Sequence, residues 1–345
     1  MDYFFAACEQ LRNPKLNGKA VVIGTNKEDS KMKGVVQTAN YEARKYGIKS
    51  GMPTKDAYKL YKDLVYLEAD EPYYEKISKM IMDMLKEYDF PVEQESVDEA
   101  ALDLGSIRYE KGREIGIEIK KKINDKAKLP CTVGISFGKT FAKMICESSK
   151  PDGFGIVTEK EIMDFLKAKP VKSLPGIGPK TEEKLKILKI NTIGDLSNSN
   201  PLLLREKLGI AGIELYNLSN GIDKSKVVEF EEILSISREK TLNEETTDIT
   251  IIKNMIKKLS KEVFEESAKK SLWFKDIGIK VRYADFTQAT KSRSMNYYSS
   301  FEGDIERIGT ALIKDLISKK NKKIRKVGVR ISSLMKGDSQ KRLIV

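Results

Sequence analysis

The chain has 345 residues, with 63 Lys and Arg against 51 Asp and Glu, no histidine and a net charge of +12. Without histidine there is no Ser-His-Asp or Cys-His catalysis and no histidine-bound zinc or iron. Cys8, Cys131 and Cys146 form no Cys-x-x-Cys pair, which argues against a disulfide framework or thiolate metal site and suits a reducing compartment. What remains is carboxylate chemistry around Mg²⁺, a cation that prefers oxygen ligands. No apolar run approaches the roughly 20 residues of a membrane span and no signal peptide opens the chain, so a soluble, cytoplasmic protein without a membrane partner is expected.

In chain order, 1–11 and 70–158 read as a mixed α/β unit split by an insertion over 12–69. The insertion carries strands at 20–24 and 35–38 and a helical stretch over 40–46 ended by Gly47. Apolar spacing predicts helices over 75–88 and 113–127, with a hairpin over 92–104 and a strand over 131–136 between and after them. Residues 159–222 read as all-helical, and 223–233 have the charged make-up of a linker. The last piece, 234–337, reads β-α-β-β-α-β: strand 234–241, helix 248–269, strands 276–284 and 288–298, helix 303–319, strand 324–333. This is the element order of a ferredoxin-like split unit. The whole is a multidomain α+β chain with a tail at 338–345.

Charge is uneven along the chain. Residues 231–345 hold 25 Lys and Arg against 16 Asp and Glu. Within them Lys314, Lys319, Lys320, Lys322, Lys323, Arg325, Lys326 and Arg330 face one acid, Asp315. With Lys291 and Arg293 on a strand, the cluster reads as a polyanion surface, the bland alternative being a solvated helix end.

Four segments carry chemistry. The first is Ser96-Val97-Asp98-Glu99-Ala100, followed by Asp103. Adjacent carboxylates on a regular strand point to opposite faces, so both serve one metal site only at a bend, which the hairpin pattern permits. Paired carboxylates holding two Mg²⁺ ions suit phosphoryl transfer, whereas an isolated Asp-Glu is usually solvated surface. In the second, Thr38, Tyr41 and Arg44 fall three apart at a helix start, sharing a face with the positive end of the dipole, a way to grip a triphosphate. The third, Ser149-Lys150-Pro151-Asp152-Gly153, puts a lysine ahead of a turn. In the fourth, Leu174-Pro175-Gly176-Ile177-Gly178-Pro179-Lys180-Thr181, Gly176 and Gly178 let backbone N–H groups approach a phosphate beside Lys180 and Thr181. This is a helix-hairpin-helix for sequence-independent DNA binding.

These segments, with Asp2-Tyr3-Phe4-Phe5-Ala6 and Asn13-Pro14 through Lys19-Ala20-Val21-Val22, resemble the Y-family DNA polymerases of the polymerase IV type over nearly the whole chain. The resemblance implies a right-hand polymerase: palm (1–11 and 70–158), fingers (12–69), helical thumb (159–222) and little finger (234–337). It implies a monomeric, low-fidelity DNA polymerase for translesion synthesis, acting on primer-template DNA and a dNTP with two Mg²⁺ ions. Asp98 resembles the carboxylate bridging both metals and Glu99 the one beside the primer 3′ hydroxyl. Tyr3, Phe4, Phe5, Thr38, Tyr41, Arg44 and Lys150 resemble the nucleotide-binding positions, Phe5 being the steric gate against a 2′ hydroxyl. Gly176, Gly178, Lys180, Thr181, Lys291, Arg293, Lys322, Lys323, Arg325 and Arg330 are the expected DNA contacts.

Two departures qualify the resemblance. Family members begin with an apolar strand ending in Asp-x-Asp-x-Phe, whereas here the motif starts at Met1-Asp2. The expectation is that the third metal ligand and its strand lie upstream of a misplaced or truncated start, and that the chain as written is catalytically crippled. The alternative function is then a DNA-binding protein of polymerase ancestry. At the other end, Gln340-Lys341-Arg342-Leu343 resembles half of a sliding-clamp-binding box.

Overall fold

Local polar caps decide where several of the helices begin. In this computed structural model, which describes residues 1–25, 34–229, 232–318 and 322–337, the chain divides into two units, Met1–Phe230 and Glu231–Val345. In the first unit, α1 (Phe4–Arg12) leads to β1 (Val21–Gly24), β2 (Val36–Ala39), α2 (Tyr41–Lys45), α3 (Thr54–Leu60) and β3 (Val65–Glu68). These strands form a sheet in the order β2-β1-β3, with β1 antiparallel to β2 and parallel to β3. Asn40, buried, caps α2 by accepting from the Ala43 amide at 2.9 Å and ties that cap to the sheet by accepting from Val21 N at 3.0 Å.

Next come α4 (Glu71–Lys86), β4 (Val92–Gln94), β5 (Ala100–Leu102), α5 (Tyr109–Ala127), β6 (Val133–Ile135), α6 (Lys139–Ser149) and β7 (Phe154–Ile156). Asp70 caps α4, whose buried stripe of Tyr74, Ile77, Ile81, Met84 and Leu85 follows the helical repeat and closes the core over α1. β4 and β5 pair as an antiparallel hairpin and β6 and β7 as a parallel pair, in two separate two-stranded sheets. Met1 and Asp2 reach both: the Met1 amine donates to Asp98 O at 2.6 Å and Asp2 N to Pro130 O at 3.2 Å. Five short helices follow, α7 (Ile162–Lys167), α8 (Pro179–Ile187), α9 (Ile193–Ser197), α10 (Pro201–Leu208) and α11 (Ile210–Ser219), around a core of their own that includes Leu166, Leu174, Leu185, Ile193 and Leu204.

The second unit has the expected element order: β8 (Ser235–Thr246), α12 (Ile249–Lys269), β9 (Leu272–Tyr283), β10 (Gln288–Ser299), α13 (Glu302–Ser318) and β11 (Ile324–Lys336). Its antiparallel sheet runs β10-β9-β11-β8, the last strand lying between the first two. Ile277, Ile279 and Val281 of β9 and Val327, Val329 and Ile331 of β11 form one buried face against α12 and α13. Among the described residues no helix is long and apolar enough to cross a membrane.

Candidate active site

The turn between β4 and β5 supplies the bend that Asp98 and Glu99 need. The amides of Glu95 and Ser96 both donate to Glu99 O, at 3.0 and 3.2 Å, closing the turn. Ser96 Oγ donates to Asp98 Oδ1 at 2.8 Å and accepts from Asp98 N at 3.2 Å, which fixes that carboxylate. Lys143, on α6, donates to Glu95 at 2.6 Å and to Glu99 at 2.9 Å. Burial is the largest single influence and works against the Glu99 charge, but the hydrogen bond and charge of Lys143, with the charges of Lys150 and the N-terminus, together hold the carboxyl below its usual range. One turn earlier on α6, Lys139 pairs with the buried Glu93 at 2.7 Å. Asp103 instead accepts from Gly105 N at 2.9 Å. Among the described residues no group of three His, Cys, Asp or Glu is placed to hold a metal ion. Two fixed, hard carboxylate oxygens nevertheless fit Mg²⁺, which is commonly held by one or two carboxylates plus substrate phosphates.

The residues expected at a triphosphate come from separate segments. Tyr3 and Tyr41 meet edge to face with centroids 5.3 Å apart, and the Arg44 guanidinium lies 4.8 Å over the Tyr41 ring, its Nε donating to Ala39 O at 2.9 Å. Tyr3 has φ 38°, in the left-handed region that costs a bulky side chain of order 1–3 kcal/mol and that concentrates at functional sites. The Tyr41 hydroxyl and the Gln37 Oε1 are buried with no hydrogen-bond partner in the protein. Burial raises the Tyr41 pKa, with Asp2 raising it further and Arg44 and Lys150 pulling it back, which places those four groups in one electrostatic neighbourhood. Thr38 is half-buried on β2, two residues before the α2 cap.

Lys150 follows α6 and pairs with Glu147 at 2.6 Å. Burial is the largest influence and disfavours its charge, yet the hydrogen bond and charge of Glu147, with Cys146 and Asp2, together raise its pKa. Gly153 in the same loop is obligatory, because a Cβ there would lie 1.7 Å from Ser149 O. The loop is anchored by Asp2. This carboxylate, 1 % exposed, accepts from Asp152 N at 2.6 Å and from Thr132 Oγ1 at 2.9 Å, so it is committed to holding the Lys150 loop beside the N-terminal segment.

Phe5 stacks on Tyr74 of α4 with centroids 4.6 Å apart. Phe4 differs from Phe5: its ring is 2 % exposed, because the helical turn of α1 points it into the core, so only its backbone is left to meet a nucleotide. Asn40, Thr132, Lys143 and Tyr74 escaped the sequence reading. A helix-capping Asn before Tyr41 was the one local signal available.

In the 174–181 segment, Gly176 has φ 91° and an added Cβ at Gly176 or Gly178 meets nothing within 4 Å, so this backbone has open space beside it. Gly178 precedes α8, Thr181 N donates to Gly178 O at 3.0 Å, and Lys180 is exposed beside them. In the second unit the basic residues do not share one surface, which corrects the reading of a single patch. Arg330 pairs in register with Gly278, on the open face of the sheet. Lys291 and Arg293 pair with Ile279 and Ile277 on the helix-covered face, where Lys291 reaches Asp315 at 2.5 Å. Alternation of side chains across the pleat is the reason. Lys322 pairs with Asp285, Arg325 with Glu245 at 3.0 Å, and Lys323 is exposed. Lys319, Lys320 and the segment 340–343 lie outside the described residues.

Residues 1–147 match the impB/mucB/samB family, 234–343 its C-terminal domain, and 172–223 the thumb domain of DNA polymerase iota. The chain is 36 % identical over its full length to DNA polymerase IV 2 of Methanosarcina mazei, covering 93 % of that protein. It is also 36 % identical to DNA polymerase IV of Clostridium perfringens, covering 97 % of this chain and 92 % of the relative. Among solved structures it is similar to a Y-family DNA polymerase chimera of Dbh and Dpo4, with TM-score 0.89, 30 % identity and 97 % of each chain covered. An insertion ternary complex of Dbh DNA polymerase matches with TM-score 0.65, 30 % identity and 96 % of each chain covered.

Proposed function

The chain belongs to the Y-family of DNA polymerases, and from that premise we propose that its DNA-directed polymerase activity serves low-fidelity translesion synthesis by two-metal nucleotidyl transfer. In this reading 1–11 and 70–158 are the palm, 12–69 the fingers, 159–222 the thumb, 223–233 a linker and 234–337 the little finger, and the substrates are primer-template DNA and a dNTP. The observation that carries it is convergence: Tyr3, Tyr41, Arg44, Lys150 and the Asp98–Glu99 turn come from four separated segments. Tyr41, Arg44 and Lys150 interact electrostatically, and Lys150 and the N-terminus also act on Glu99.

Arg44 and Lys150 bring cationic charge to a triphosphate, and Tyr41 brings a hydroxyl that has no protein partner. Asp98 and Glu99 would hold Mg²⁺, whose charge when bound stabilises the attacking and leaving oxygens of an in-line transfer. The Ser96 hydroxyl keeps Asp98 oriented, and Lys143 keeps Glu99 ionised and turned toward α6. Phe5, supported by Tyr74, is the ring against which the sugar packs.

A second reading, a DNA-binding protein of polymerase ancestry with impaired catalysis, is favoured by one observation: no third carboxylate, His or Cys joins Asp98 and Glu99 among the described residues. Primer extension with Mg²⁺ on undamaged and abasic templates separates the two. Extension past the abasic site that Asp98→Ala abolishes supports translesion synthesis. Intact primer-template binding with no extension on either template supports the second reading and overturns the first.

A further inference from the structure

Phe5 does not stand alone. It is the second residue of α1, and Glu9 lies one helical turn later on the same face. Tyr74 of α4 meets both: its ring stacks under Phe5 at 4.6 Å and 14°, and its hydroxyl donates to Glu9 Oε1 at 2.7 Å. The Glu9 side chain is only 5 % exposed, and an ionised carboxylate that deep needs a partner. Arg12 supplies it through a two-pronged contact, Nε to Oε2 and Nη2 to Oε1, both at 2.7 Å. Arg12 is held in turn by Asp70, the cap of α4, at 2.7 Å, and lies 4.8 Å over the Tyr73 ring. Burial and the Glu9 hydrogen bond both push the Tyr74 hydroxyl pKa upward, so it stays protonated and a donor.

We propose that Glu9 and Tyr74 are positioning residues for sugar selection. The hydrogen bond from the Tyr74 hydroxyl to the Arg12-clamped Glu9 fixes the ring on which Phe5 rests, and so fixes the height of Phe5 under the nucleotide sugar. This rests on the reading of Phe5 as the sugar gate. The physical reason is tolerance. A 2′ hydroxyl adds one oxygen, and excluding it takes a gate ring that does not yield by a few tenths of an ångström. A stacked aromatic pair alone slides at little cost, because its interaction is weakly directional. Pinning one ring by a hydroxyl to a clamped carboxylate removes that freedom, as an outer shell of hydrogen bonds holds a binding group in its productive geometry. The chain also invests a buried charge here, which hydrophobic packing of α1 on α4 does not require.

The test is equilibrium binding of dATP and ATP to the full chain on a dideoxy-terminated primer opposite template thymine. It reads affinity without requiring turnover. Phe5→Ala sets the scale by raising ATP affinity relative to dATP. Tyr74→Phe, which keeps the stack and removes only the hydroxyl, is expected to raise relative ATP affinity about fivefold, less than the full worth of a hydrogen bond to a carboxylate because only its effect on the ring's position reaches the sugar, with dATP affinity within about twofold. Arg12→Met, at a side chain 42 % exposed, should act in the same direction. In the Phe5→Ala background Tyr74→Phe should add nothing, since it acts through the Phe5 ring. If Phe5→Ala shifts the ratio while Tyr74→Phe and Arg12→Met leave it at the wild-type value, the positioning role is overturned and the gate stands. An additive effect of Tyr74→Phe in the Phe5→Ala background also overturns it. If Phe5→Ala itself leaves the ratio unchanged, the gate reading fails first and takes the inference with it.

Discussion

Thr132→Val isolates the anchoring of the N-terminal segment to the Lys150 loop. The substitution conserves shape, so it opens no cavity, and its cost is polar. Thr132 Oγ1 donates to the buried Asp2 carboxylate at 2.9 Å and accepts from Gly153 N at 3.2 Å. A hydrogen bond to a buried charge contributes about 2 kcal/mol, and an amide left facing a methyl group costs about 1 kcal/mol more, so about 3 kcal/mol is expected. Asp2 keeps its bond from Asp152 N, which limits the loss. The assay is urea unfolding followed by tyrosine near-ultraviolet circular dichroism, which reports mainly the first unit, where most tyrosines lie. Thr132→Ser, which keeps the hydroxyl, should recover most of the stability. A Thr132→Val loss below about 0.5 kcal/mol, the level of a featureless surface change, would refute the anchoring role of Asp2.

Other consequences are equally direct. Burial is the largest influence on Glu93 and opposes its charge, but Lys139, through its hydrogen bond and charge, and the Val228 amide together hold it below the usual carboxylate range. That stabilisation is fully present above the unfolded carboxylate value of about 4.3 and is lost as pH falls through the folded value. Lys139→Met should therefore cost about 2 kcal/mol at pH 7, between exposed and fully buried pairs, and the penalty should shrink as Glu93 protonates toward pH 4. A pH-independent difference in urea midpoints between mutant and wild type would contradict this. Arg330, on the open sheet face, and the exposed Lys323 should each lower the salt slope of primer-template binding by about 0.9 when changed to Ala. Lys291→Ala, on the helix-covered face, should leave that slope unaltered in a fluorescence-anisotropy titration. Equal effects at Lys291 and Arg330 would mean that the pleat does not sort these residues.

Much of this protein was legible in its residue order. Apolar spacing placed α4 and α5 to within a few residues, and the β-α-β-β-α-β order of the second unit, because a helix or strand that buries one face repeats every 3.6 or 2 residues whatever lies opposite. The resemblance carried by Asp98-Glu99, Thr38-x-x-Tyr41-x-x-Arg44 and the Gly176–Gly178 turn identified the family, because their chemistry depends on residue type at fixed local spacing. The short helix α6 and strand β7 were missed: Phe141, Met144 and Ile145 do fall at helical spacing, but the stretch is short and runs straight into the Pro151-Asp152-Gly153 turn.

What only the tertiary structure decided was pairing at a distance. Nothing local to Asp2 shows that it binds Thr132 and Asp152, more than a hundred residues away. Phe4 and Phe5 are neighbours of one kind, yet the rotation of α1 sends one ring into the core and the other onto Tyr74. Likewise, a net positive cluster is a property of composition, but the pleat splits it between two faces of a sheet. Sequence spacing specifies which side chains can share a face of one element. Which element that face meets depends on packing among segments that are not neighbours in the chain, and no local pattern encodes it.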